Sequence, residues 1–187
     1  MTAILNVFAG LLGVLENFNR AILWIGRQVS WVLIGGMVIV ISIQVFCRYV
    51  LNNALPWPEE AARAMMIWMM ALTAPSAYRW GGFVAITMIL DALPFKLGRI
   101  LNFLLTLMAA IILLYLLYHA QRHFNSGFIF KSSTLKIPLA YIYVSMTVCF
   151  GLMLSVNLEM LIRLVCQVLG GQEKFAAPQM PLDLQGE

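Results

Sequence analysis

Residues 48–63 read RYVLNNALPWPEEAAR, and long apolar runs flank this polar stretch on both sides. Each run is long enough to cross a bilayer, which takes about 20 predominantly apolar residues. The stretch therefore reads as a turn between two membrane helices. Pro56 and Pro58 stiffen it, and Pro58 suits a first helical turn, where its missing N–H costs nothing. Glu59 and Glu60 directly behind it complement the helix dipole. Neighbouring residues on a helix do not face each other, so the two glutamates do not form an acid–base pair. Glu59 and Arg63, four residues apart, have ion-pair spacing.

The whole chain agrees with that reading. Its 187 residues are 62% hydrophobic and 11% charged, with mean hydropathy +0.88. A soluble domain carries about 45–50% apolar and about 25% charged residues. The composition is that of an integral membrane protein. The net charge of +4 fits Lys and Arg on cytoplasmic connections better than nucleic-acid binding. No Lys or Arg precedes Arg20, so no cleaved leader is expected.

Moving outward from the turn, spans are expected at about 22–47, 60–78, 100–123 and 137–166. Residues 1–20 are apolar at helical spacing but interrupted by Gly10 and Gly13, which suggests a separate interfacial helix. After Gly81 and Gly82, residues 83–93 are too few to cross a membrane and read as an in-plane helix closed by Asp91 and Pro94. The tail 170–187, with Gly, Pro and mixed charge, reads as disordered. The expected fold is an all-α integral membrane protein: a four-helix membrane domain over 21–169 plus amphipathic in-plane helices. Four spans put both termini on one side. Seven basic residues lie on the terminal side and five on the other, a small bias toward cytoplasmic termini.

The candidate chemistry is sparse. His119 and His123 have a spacing that can hold zinc, but no Cys, Asp or Glu lies nearby to complete the shell. Both sit on one helix, so they cannot clasp a haem from two sides. Cys47, Cys149 and Cys166 fit no metal pattern and read as inert thiols. Glu159 and Arg163 stand in the favourable order for an i,i+4 pair, expected to be structural and near the membrane surface. The tryptophans read mostly as an interfacial belt, and Gly35–Gly36 as a place for close helix contact. No span carries a central Asp, Glu or Lys, and no mid-membrane glycine-rich break resembles a substrate site. No phosphate loop or nucleophile elbow is present. The chain is not expected to be an enzyme, and no cofactor, metal or substrate site is expected on it.

One ordered set of motifs remains: Arg48-Tyr49 with Asn52, then Trp57-Pro58-Glu59-Glu60 through Arg63, then Arg79 with Gly81-Gly82, then Asp91 to Pro94. This resembles the small membrane (Q) subunit of tripartite ATP-independent periplasmic (TRAP) transporters over about residues 20–165. Phe83 stands where that family usually has His, and Thr87 where a Val-Asp pair is common. The resemblance implies a non-catalytic scaffold in the bacterial inner membrane. It would bind and anchor a large membrane (M) subunit that holds the sodium and substrate sites. A periplasmic substrate-binding (P) protein would deliver an organic acid. Arg48, Tyr49, Asn52, Trp57, Glu59, Glu60, Arg63, Arg79, Gly81, Gly82, Asp91 and Pro94 are then the candidate partner-interface or structural residues. The competing readings are a stand-alone four-span transporter and a membrane anchor for another complex. A small multidrug exporter needs a glutamate inside its first span, which this chain lacks.

Overall fold

The computed structural model describes residues 2–53, 55–80 and 95–170. They form four α-helices: α1 (Thr2–Tyr49), α2 (Trp57–Arg79), α3 (Phe95–Ser126) and α4 (Ala140–Gly170). α1, α3 and α4 carry stretches apolar and long enough to cross a membrane, at Gly10–Tyr49, Ile100–Ser126 and Ala140–Cys166. α2 has 23 residues, roughly 34 Å at 1.5 Å per residue, so its length also suffices. The charges at its two ends set it apart from the three more apolar helices.

α4 is the centre of the bundle. It packs against α1, α2 and α3, whereas among the described helices α3 packs on α4 alone and α1 and α2 also meet each other. The composition of the interior follows. Small residues such as Ala71, Ala110, Ala120 and Ala140 are buried together with Ser145, Asn157, Glu159 and Arg163. Large apolar residues such as Val32, Ile39 and Ile111 point outward. Hydrocarbon solvates leucine as well as another helix does, so burial of large apolar groups drives nothing here. Close packing and polar contacts hold the helices instead.

Two close approaches set the geometry. A Cβ on Gly26 of α1 would lie 3.3 Å from the Leu72 carbonyl oxygen of α2. Ser30 donates to the Gly26 carbonyl at 2.8 Å, keeping its hydroxyl satisfied within α1. At Gly127, after α3, a Cβ would come within 2.7 Å of Ala140 Cα and the Tyr143 ring. Only glycine lets α3 turn back onto α4 this tightly. The glycine pair expected to mediate contact does less. Gly36 meets the Met65 thioether at ordinary distance, and Gly35 faces open space.

The boundary expected at residue 20 falls inside α1. The stretch expected as a separate interfacial helix and the first span form one 48-residue helix. Gly10 and Gly13 weaken a helix by roughly 1 kcal/mol each relative to Ala, too little to break one held by packing. Leu12 and Asn19 are buried, so this part of α1 belongs to the bundle. α4 begins three residues later than expected, because 137–139 pair back on the preceding loop. The expected in-plane helix at 83–93 and the tail after residue 170 lie outside the described residues.

Candidate functional site

The polar residues gather at the two ends of the bundle. Glu60 and Arg79 stand nineteen residues apart on α2, roughly 28 Å along the axis. That is close to the roughly 30 Å hydrocarbon thickness of a bilayer.

At one end a buried hub forms around Glu159, whose side chain is 1% exposed. Arg79 Nη2 donates to its Oε1 at 2.9 Å. Arg163, one turn on in α4, donates to the same oxygen at 3.0 Å from Nη2 and 3.3 Å from Nε. Asn19 of α1 donates to Oε2 at 2.7 Å. The other end of the Asn19 amide accepts from the Ser155 hydroxyl at 2.9 Å. Arg163 also reaches Glu16 of α1 at 2.9 Å, and Glu16 accepts from exposed Arg20 at 3.2 Å. Within the buried part, the two carboxylates Glu16 and Glu159 balance Arg79 and Arg163, and exposed Arg20 adds a further positive charge at its edge. Three helices are latched by this one cluster. Beside it, Arg27 lies 5.6 Å over the Trp80 ring, a cation–π contact joining α1 to the end of α2. Tyr78 accepts from the Asn157 amide, a further link from α2 to α4.

Such a cluster is costly to desolvate and contributes stability only while complete. Removing one member of a buried pair typically costs about 3–5 kcal/mol, because the other charge is left uncompensated. Both oxygens of Glu159 are taken up by donors, so it is a latch and not a free proton acceptor.

At the other end Glu60 organises the loop between α3 and α4. Its Oε1 accepts from the Ser132 hydroxyl. Its Oε2 accepts from the backbone N–H of Thr134 at 3.2 Å and of Leu135 at 3.1 Å. The loop folds back on itself through an antiparallel bridge between Lys131 and Pro138. Ser132 donates its N–H to the Ile137 carbonyl at 2.9 Å, and Leu139 to that of Phe130 at 3.0 Å. Lys136 turns the chain with a positive φ of 54°. Glu60 lies in the first turn of α2, among the connecting segments. The Ser132 hydroxyl, aided by the two backbone donors, holds its carboxyl below the usual glutamate range.

The rest of the 48–63 stretch divides by role. Glu59 and Arg63 form the expected i,i+4 pair at 3.1 Å, with side chains 70% and 66% exposed. Arg48 makes no ion pair among the described residues; its guanidinium lies 5.9 Å over the Tyr49 ring. Its place in the last turn of α1 complements the helix dipole. Asn52 takes the left-handed conformation, φ 47°, which Asn tolerates better than other non-glycine residues. Trp57 begins α2, partly exposed. The four charges do not neutralise one another as a group: Glu59 and Arg63 pair, Glu60 faces the α3–α4 loop, and Arg48 stands apart.

Arg79 belongs to the opposite end and is buried there, paired with Glu159. Gly81, Gly82, Asp91 and Pro94 lie outside the described residues. Trp57 and Trp80 sit at the two ends of α2, as a belt requires. Trp68 does not: its indole N–H donates to the Tyr141 carbonyl of α4 at 3.2 Å. Exposed Trp31 also lies well inside α1. His119 contacts the Tyr115 and Tyr118 rings, and His123 that of Tyr143. Among the described residues, no group of three His, Cys, Asp or Glu side chains is positioned to hold a metal.

Glu16, Asn19 and Ser155 escaped the sequence reading, as did the loop donors at 132–135. A signal for the first two existed. Glu16 stands four residues before Arg20, and both Glu16 and Asn19 interrupt an otherwise apolar helix. Polar residues within membrane helices usually face the bundle interior.

The described residues define a multi-pass membrane bundle latched by charges at one end and by a clamped loop at the other. The family model for the tripartite ATP-independent periplasmic transporters, DctQ component, matches residues 37–167. The chain belongs to that family, the small permease component of TRAP transporters. No curated protein matches it.

Proposed function

We propose that this chain is the scaffold subunit of a sodium-driven uptake system for organic acids in a bacterial inner membrane. It anchors a large membrane subunit that carries the substrate and the sodium, and a periplasmic binding protein supplies the solute. Both termini face the cytoplasm. The observation that carries this reading is the use of the hub charges. Glu159, Arg79 and Arg163 are engaged by one another and by Asn19 and Glu16, in a cluster joining three helices. A moving transport site needs groups that change partners; a scaffold needs groups that do not.

The test is detergent co-purification of the tagged chain expressed with its genomic neighbours. A large multi-span permease retained in stoichiometric amount supports the scaffold reading. Purification of the chain alone as a homodimer, with transport activity of its own, would overturn it in favour of a stand-alone transporter.

A further inference from the structure

The loop between α3 and α4 displays three consecutive large apolar side chains. Phe128, Ile129 and Phe130 are 56%, 79% and 58% exposed. Flexible loops usually fold such residues inward, and this one is prevented from doing so. Gly127 is pressed against Ala140, the Lys131–Pro138 bridge closes the loop, and Glu60 holds three of its donors. The apolar tip is therefore presented outward by construction.

Its place follows from the helices that carry it. The apolar stretch Ile100–Ser126 has 27 residues, roughly 40 Å of helix. A bilayer with its headgroup layers measures about 40–45 Å. The next apolar stretch starts at Ala140. The tip thus sits at headgroup depth, where aromatic side chains are favoured. Its charge is one-sided. Lys131 directly follows it, Lys136 lies five residues further on in the same loop, and Arg122 stands six residues before Phe128. The carboxylate nearest in contact, Glu60, is occupied by the loop's own donors, and Glu59 is paired with Arg63.

We propose that Phe128–Phe130 insert into the headgroup layer of the bilayer, and that Lys131 and Lys136 bind the phosphates of anionic lipids there. A protein partner would more naturally meet such a tip with acidic and apolar groups of its own. Lipid needs only the amphipathic edge and the depth, and both are present.

The test uses the full-length chain with any partner that co-purifies. Cys47, Cys149 and Cys166 are replaced by alanine, and an environment-sensitive fluorophore is attached through Ile129→Cys or, separately, Ser133→Cys. The protein is reconstituted in phosphatidylcholine vesicles with and without phosphatidylglycerol. Quenching by shallow nitroxide-labelled lipid is compared with quenching by aqueous iodide. The proposal expects the Ile129 label to be quenched by lipid and shielded from iodide, and the lipid share to rise with phosphatidylglycerol. Neutralisation of each lysine to glutamine, at Lys131 or Lys136, should cut that rise roughly fivefold, the weight of one basic residue near an anionic surface. Ser133, a polar position in the same loop, reports on loop integrity. If it keeps its signal while the Ile129 label stays open to iodide, the tip faces water and the proposal fails. Shielding from iodide without lipid quenching would mean a protein covers the tip, and this also overturns it. Equal quenching in both lipid mixtures would overturn the phosphate contact.

Discussion

Glu60 and Glu159 are both glutamates held by several donors, and they stand at opposite ends of the bundle. Glu159 is buried and bound by two guanidiniums and an amide from three helices. Glu60 lies at the rim and is bound by one hydroxyl and two backbone N–H groups from a single loop. One carboxylate decides how helices meet, and the other decides how a connection folds. The same side chain does global work where water is excluded and local work where it is not, because the cost of an uncompensated charge depends on its surroundings.

The comparison breaks most sharply at Glu159. Glu159→Ala leaves Arg79 without its counter-charge and Arg163 with Glu16 alone. The unfolding free energy in nanodiscs should fall by about 3–5 kcal/mol. Asn19→Leu removes one hydrogen bond to a charged group and should cost about 1.5–3 kcal/mol by the same measurement. A loss as large as that of Glu159→Ala would mean that α1 and not Glu159 is the centre of the latch.

Glu60→Ala should act locally. Amide exchange at Ser132, Thr134 and Leu135 should accelerate strongly while the hub end stays protected. If exchange accelerates equally at Asn157 and Glu159, the two ends are one cooperative unit and the contrast fails. Glu59→Ala should change stability by no more than about 0.5 kcal/mol, since exposed i,i+4 pairs contribute little. A larger loss of large-subunit binding at unchanged stability would identify Glu59 as a contact residue.

Much of this bundle can be read along the chain, and the reason is local. Hydropathy marks the apolar stretches of α1, α3 and α4, and four-residue spacing announces Glu59–Arg63 and Glu159–Arg163. The hub's reach is not local. Arg79 and Glu159 are 80 residues apart, and Asn19 and Glu159 are 140 apart. No periodicity states which faces of four nearly uniformly apolar helices will meet. The stretch 1–20 runs on into α1 instead of forming the expected separate helix for a related reason. Its glycines suggest a break only when the contacts of Glu16 and Asn19 with α4 are unknown. Glu60 reads as a helix-start carboxylate from its neighbours, and its second role appears only when the loop at 132–135 is brought against it.

The most direct test is a double-mutant cycle between Arg79 and Glu159, using Arg79→Met, Glu159→Leu and the pair together, with unfolding free energy measured for all four proteins in nanodiscs. The latch predicts strong non-additivity: each single change costs about 3–5 kcal/mol, and the pair costs no more than one of them. Losses that simply add would show that the two residues act independently, and the hub would not be what holds α2 to α4.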